Sequence, residues 1–193
     1  MSNGRKYFLK DLSSIRLGYA LRGSLEEDPN GEALILQMKD LSLEGIEWNS
    51  LARFQPSGRK SPDYLHRNDV VFCGRGTRIF GRAVGEHPEN VVAGPQFFVL
   101  TPTEDCPAEY LAWYINSKMG QRYFWRYAGG SSIINVTRNV LENCPIILPE
   151  SGTMETMVQL IHSHERERRV MQDLTEKRQR LLEAVIDTSL EER

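Results

Sequence analysis

Residues 153–193 read TMETMVQLIHSHERERRVMQDLTEKRQRLLEAVIDTSLEER, and this stretch decides the architecture. From Thr153 to Arg193 there is no Gly and no Pro, and the Met, Gln, Leu, Glu, Lys and Arg that fill it are good helix formers. Ser151 or Thr153 can supply an N-cap oxygen, and Glu155 in the first turn suits the helix dipole. Apolar residues recur at Met157, Ile161, Met171, Leu174, Leu181 and Val185, with Val158 and Leu182 beside them. Spacings of three, four and seven make a heptad-like seam, with a register break between Met171 and Leu174. A helix from about 154 to 187 is on the order of 50 Å long at 1.5 Å per residue. Such a length would overshoot a head of about 150 residues if it folded back, so a partner helix is expected along the seam. Residues 162–169 (HSHERERR) are too polar for a continuous dry interface.

Upstream of Pro149 the composition changes to short apolar runs broken by Gly and Pro. Residues 33–38, 69–73 and 96–100 read as strands, and 144–148 as a closing strand segment. Pro107 opens a helix expected to run to about Tyr127, with Leu111, Tyr114, Ile115 and Met119 on one face and Gly129 at its end. The expected fold class is α+β: a mixed head with a twisted sheet over residues 1–150, then a long helix over 151–193.

The chain has 193 residues and a net charge of −2, so no global positive field marks a polyanion partner. Locally the balance differs. Residues 53–82 hold Arg53, Arg59, Lys60, Arg67, Arg75, Arg78 and Arg82 against only Asp63 and Asp69. Within this stretch Gly74-Arg-Gly-Thr-Arg78 places two guanidinium groups and a hydroxyl on a glycine-flexible loop. Arginine grips phosphate or the O6/N7 edge of guanine through two hydrogen bonds, and Thr77 can bond backbone or base. Arg75, Thr77, Arg78 and Arg82 are therefore candidate DNA contacts, with Arg59 and Lys60 on the phosphate backbone and Arg67 a further candidate in the same stretch. Ser131, Ser132 and Asn135, in a second polar cluster behind Gly129-Gly130, are weaker candidates, since Ser and Thr also cap turns.

Catalytic patterns are poor. GxxxxGK[ST], GxGxxG, GxSxG and HExxH are absent, and Cys73, Cys106 and Cys144 have no metal-ligand spacing. His162 and His164 do not share a helix face. Cys73 with His87 could make a thiolate pair, but a buried strand cysteine is the simpler reading. No catalytic residue, metal or cofactor is expected. The N-terminus lacks a signal-peptide-like apolar core, no run is long enough to span a membrane, and widely spaced cysteines suit a reducing, cytoplasmic compartment.

In order along the chain, several segments resemble the DNA-specificity subunits of type I restriction–modification systems. They are Leu9-Lys-Asp-Leu-Ser-Ser-Ile-Arg-Leu-Gly-Tyr19, residues 33–41, Tyr64-Leu-His-Arg-Asn-Asp-Val-Val-Phe72 with Gly74 and Gly76, Pro107-Ala-Glu-Tyr-Leu111, and Gly130-Ser-Ser-Ile-Ile-Asn135 leading to Cys144-Pro-Ile-Ile-Leu-Pro149. Asn68 stands where the family commonly has a glycine, and Glu150-Ser-Gly152 departs from its glutamine after the proline. The resemblance covers one half of such a subunit: one target recognition domain and one conserved-region helix. It implies double-stranded DNA as ligand, and methyltransferase and restriction subunits as partners. S-adenosylmethionine and ATP would belong to those subunits. A homodimer through Met157, Ile161, Met171, Leu174, Leu181 and Val185 would read a bipartite or inverted-repeat site. The alternatives are a stand-alone DNA-binding regulator or antirestriction-type mimic, a small enzyme using Cys73 and His87, and a coiled-coil adaptor without DNA contact.

Overall fold

The computed structural model describes residues 4–57, 61–129 and 134–191, with side chains as far as 187. In chain order the elements are β1 (Arg5–Phe8), α1 (Leu9–Leu12), β2 (Ser13–Leu17), β3 (Ala33–Leu36), β4 (Ala52–Phe54), β5 (Val70–Cys73), β6 (Arg75–Gly76), β7 (Phe80–Ala83), β8 (Val91–Ala93) and β9 (Phe97–Pro102). They continue with α2 (Ala108–Asn116), α3 (Lys118–Tyr127), β10 (Ile134–Asn135), α4 (Arg138–Glu142), β11 (Pro145–Leu148) and α5 (Ser151–Glu191). This is the expected α+β class, a head with a long C-terminal helix.

The main sheet is antiparallel in the order β2-β9-β5-β7, and a mixed sheet β4-β3-β8 packs against it. Strand β5 explains why residues 70–73 carry no polar alternation: both faces are covered. Val70 and Phe72 join a core with α2, α3 and β11, whereas Val71 and Cys73 join a second core against Leu36, Val91 and Ala93 of the small sheet. Ala33, Ile35, Ala52, Phe54 and Val92 form a third core on the outer face of the small sheet. Two short ribbons complete the head, β1 with β11 and β6 with β10.

The expected single helix to Tyr127 is two helices. Asn116 turns its amide onto the backbone of Gly81, donating to its carbonyl at 2.8 Å and accepting from its amide at 3.0 Å. Ser117 then leaves helical geometry (φ −67°, ψ 162°), and its hydroxyl caps α3 by accepting from the Gly120 amide. A Cβ on Gly120 would lie 2.4 Å from the Tyr114 carbonyl oxygen, so only glycine permits this close turn. The break rotates Met119 away from the face of Leu111, Tyr114 and Ile115, leaving it 51% exposed.

Helix α5 starts at Ser151 and divides by environment rather than by secondary structure. Met154 is buried, while Met157 and Val158 pack against the head core and Ile161, Glu165 and Arg168 are half-buried. From Arg169 to Asp187 every residue is exposed. The proximal part therefore does fold back on the head, and Met157 and Ile161, expected in the pairing seam, belong to that intramolecular contact. Its spacing of three and four residues is that of one helix face laid on a surface. Met171, Leu174, Leu181 and Val185 remain on the projecting part, 44% to 66% exposed.

Candidate nucleic-acid interface

The 74–78 loop is held by short pairing at both ends. Gly76 has φ +129°, a backbone conformation that L side chains rarely adopt, which lets β6 turn into the approach to β7. Strand β6 pairs antiparallel with β10, with Arg75 opposite Asn135 and Gly76 opposite Ile134. The Asn135 backbone also exchanges hydrogen bonds with Gly129, at 2.9 and 3.3 Å, and the Val136 amide donates to the Gly74 carbonyl. Directly opposed residues in an antiparallel pair send their side chains to the same face. Arg75 and Asn135 are both exposed, and so are Thr77 and Arg78 in the same loop. Two clusters about sixty positions apart in sequence thus meet on one ribbon.

This ribbon presents two guanidinium groups, a hydroxyl and a carboxamide to solvent. Those groups can read phosphate oxygens and base edges together. Among the described residues neither Arg75 nor Arg78 forms a salt bridge. Arg78 does lie in the field of Glu44. That carboxyl is held below its usual range chiefly by hydrogen bonds from its own backbone and Ser42, with Arg168 and Arg78 adding to the effect.

Other candidates are placed elsewhere. Arg67 sits in the turn before β5, at the opposite end of that strand from Arg75, and pairs with Glu86 at 3.2 Å. The Arg82 side chain is only 11% exposed and is directed at α5, where it meets Glu165. It also donates to the carbonyls of Leu43 and Glu44. Arg82 is thus a strut between head and helix rather than part of the exposed loop. Arg53 donates to the Gly31 carbonyl. Arg59, Lys60, Ser131 and Ser132 lie outside the described residues.

The cysteines are not poised for chemistry. All three are buried, and desolvation raises the Cys73 thiol and pushes Cys106 and Cys144 up to about 12, the reverse of what a nucleophile needs. His87 is engaged by the Pro88 carbonyl at 2.6 Å, and its ring lies tilted against that of Trp48, 5.6 Å between centroids. Among the described residues no cluster of His, Cys, Asp or Glu could hold a metal ion, and no helix is long and apolar enough to cross a membrane.

One buried polar network escaped the sequence reading. Asp69, fully buried, accepts from Arg16 at 3.0 Å, from the His66 amide at 3.0 Å and from Thr101 at 2.6 Å. It ties β2 and β9 to the turn before β5. Its signal in sequence was an Asp immediately before an apolar strand, which does not reveal its partners.

No protein-family model and no curated protein sequence matches the chain. Solved structures do share its fold. A type I restriction–modification S subunit from M. genitalium is 14% identical, with a TM-score of 0.53 over 82% of this chain and 38% of that one. The HsdS subunit from Thermoanaerobacter tengcongensis is 17% identical, with a TM-score of 0.56 over 87% and 39%. A chain from a structure describing complex assembly and conformational transition of the type I R-M system is 14% identical. It has a TM-score of 0.64 over 95% of this chain and 43% of that one. The chain therefore shares its fold, one head with one helix, with part of these structures, and it spans about two fifths of their length.

Proposed function

We propose that this chain is a DNA-recognition subunit of a type I restriction–modification system, supplying one head and one spacing helix per copy. The observation that carries this reading is the exposed ribbon on which Arg75, Thr77, Arg78 and Asn135 converge, set on a fold shared with S subunits. In this reading the chain contributes binding and orientation, and no catalytic group. The ribbon enters a groove of the duplex, with the guanidinium groups on guanine edges or phosphates and the Asn135 carboxamide suited to adenine. Methyltransferase and restriction subunits dock on the assembly and bring the S-adenosylmethionine and ATP chemistry.

Pairing uses the projecting part of α5, through Met171, Leu174, Leu181 and Val185, with two copies antiparallel. A two-fold axis across the helices then presents two equivalent heads to an inverted repeat. The test is selection from a random duplex library with the full chain and a type I methyltransferase subunit. An enriched inverted repeat with a fixed spacer is expected. An asymmetric bipartite site would replace the homodimer by a pair of different half-subunits. No enrichment at all would overturn DNA recognition and favour an antirestriction-type mimic.

A further inference from the structure

We propose that the outward face of α3, formed by Lys118, Arg122, Trp125 and Arg126, is a second contact surface for duplex DNA, gripping the phosphate backbone beside the bases that the β6–β10 ribbon faces. The proposal rests on the DNA-recognition reading above and extends it to an element outside the basic stretch 53–82.

Helix α3 reads KMGQRYFWRY, three cations and no acid. Lys118, Arg122 and Arg126 are spaced i, i+4 and i+8, so they line one stripe. Gly120 and Phe124 are buried on the opposite side, and all three cations are exposed. Like charges one turn apart repel each other, and among the described residues none of the three has a carboxylate partner. Arg16, Arg67, Arg82 and Arg138 each have one. Trp125, at the margin of the stripe, is 59% exposed, an unusual position for an indole. Arg126 lies over the Tyr127 ring at 5.6 Å, a contact that leaves its charge unneutralised. A row of cations without carboxylate partners, flanked by exposed rings, is the composition that tracks nucleic-acid backbones and stacks on bases or sugars.

Position supports the same partner. The Gln121 side chain donates to the Ile79 carbonyl at 3.0 Å, fixing one edge of α3 against the end of the Arg75–Arg78 loop. Trp125 lies four residues further on, one turn along that same edge. The chain leaves α3 at Ala128, and Gly129 then bonds the backbone of Asn135, the register partner of Arg75. Helix α3 is therefore tied to the loop at Ile79 and to the ribbon at Gly129. Eight residues of helix span about 12 Å. That is the axial rise of three to four base pairs at about 3.4 Å each, room for several phosphates.

The experiment is a titration of a labelled mixed-sequence duplex with the full chain, read by anisotropy at several salt concentrations. Arg122→Ala with Arg126→Ala is expected to weaken binding about tenfold at low salt and to make the log–log salt slope shallower by about two. The site preference found by library selection should be unaltered. Arg122→Lys with Arg126→Lys, which keeps both charges, should retain the slope. The change in tryptophan fluorescence on adding duplex should disappear in Trp125→Phe. If Arg75→Ala with Arg78→Ala weakens binding and the α3 substitutions do not, this surface is not a DNA contact, and a protein partner takes its place. If the unaltered chain binds no duplex, or neither pair of alanines has an effect, the DNA-recognition reading fails as well.

Discussion

The Arg82 guanidinium stands 2.9 Å from the Glu165 carboxylate, joining edge strand β7 to the proximal part of α5 across the head–helix boundary. Burial lowers the pKa of Arg82, and Glu165 opposes that shift. Around the pair, Arg168 donates to the Leu43 carbonyl at 3.0 Å and His162 lies 3.4 Å from Glu109. Within the polar belt 162–169, His162, Glu165 and Arg168 thus meet the head, which accounts for polar residues at those positions of the seam. Because the proximal helix is held by directional bonds, the head sets the direction in which the distal helix projects.

Loss of this strut should loosen the helix without unfolding the head. Glu165→Gln keeps the shape and removes the charge, and with Glu165 one third exposed the expected loss is about 1–2 kcal/mol. Hydrogen exchange should quicken in residues 158–169 while β5 stays protected. Equal acceleration in β5 would show that the contact is global rather than local.

Asp69 should be far more costly to alter. Its three partners come from β2, β9 and the 66–69 turn, so Asp69→Ala leaves Arg16 facing a gap in the main sheet. A destabilisation of about 3–5 kcal/mol is expected in urea unfolding. A change below about 0.5 kcal/mol would mean the network is dispensable.

The projecting half of α5 should govern association. Leu174, 44% exposed, lies in the middle of the distal seam, and Leu174→Glu is expected to shift the chain to monomer in equilibrium sedimentation. Met157→Glu, against the head core, should instead lower stability. A chain that is monomeric at high concentration before substitution would remove the rod.

Alkaline pH should weaken the fold. Cys106 and Cys144 are raised by burial from 9.0 to about 12, so the native state retains protons that the unfolded chain releases. Their contribution is complete below about pH 9 and is lost as pH climbs from there toward 12. Urea midpoints should fall from pH 8 to pH 11, and native thiols should resist alkylation until unfolded. Rapid labelling of the native chain at pH 8 would contradict the burial.

Local chemistry made part of the architecture readable. The uninterrupted helix formers after Gly152 specified α5, and the apolar run within 69–73 specified a strand, which the fold then buries on both faces. The break at Ser117 was less visible, because it depends on Asn116 reaching Gly81, a residue 35 positions away. The 74–78 loop announced itself by charge and glycine, and Asn135 stood as a separate, weaker candidate. Only strand pairing with Arg75 joins the two into one site.

The sequence by itself determined the long C-terminal helix and several of the strands, because helix propensity and breakers act within a few residues, and it showed that basic side chains gather in 53–82. Only the tertiary structure decided what those side chains face. Arg75 and Arg78 stay in solvent on the ribbon, Arg67 meets Glu86, and Arg82 is drawn inward to Glu165. The same long helix is likewise divided, its first half against the head and its second half in solvent. Contacts between residues eighty positions apart depend on how surfaces meet, and no local pattern of charge or hydropathy encodes that.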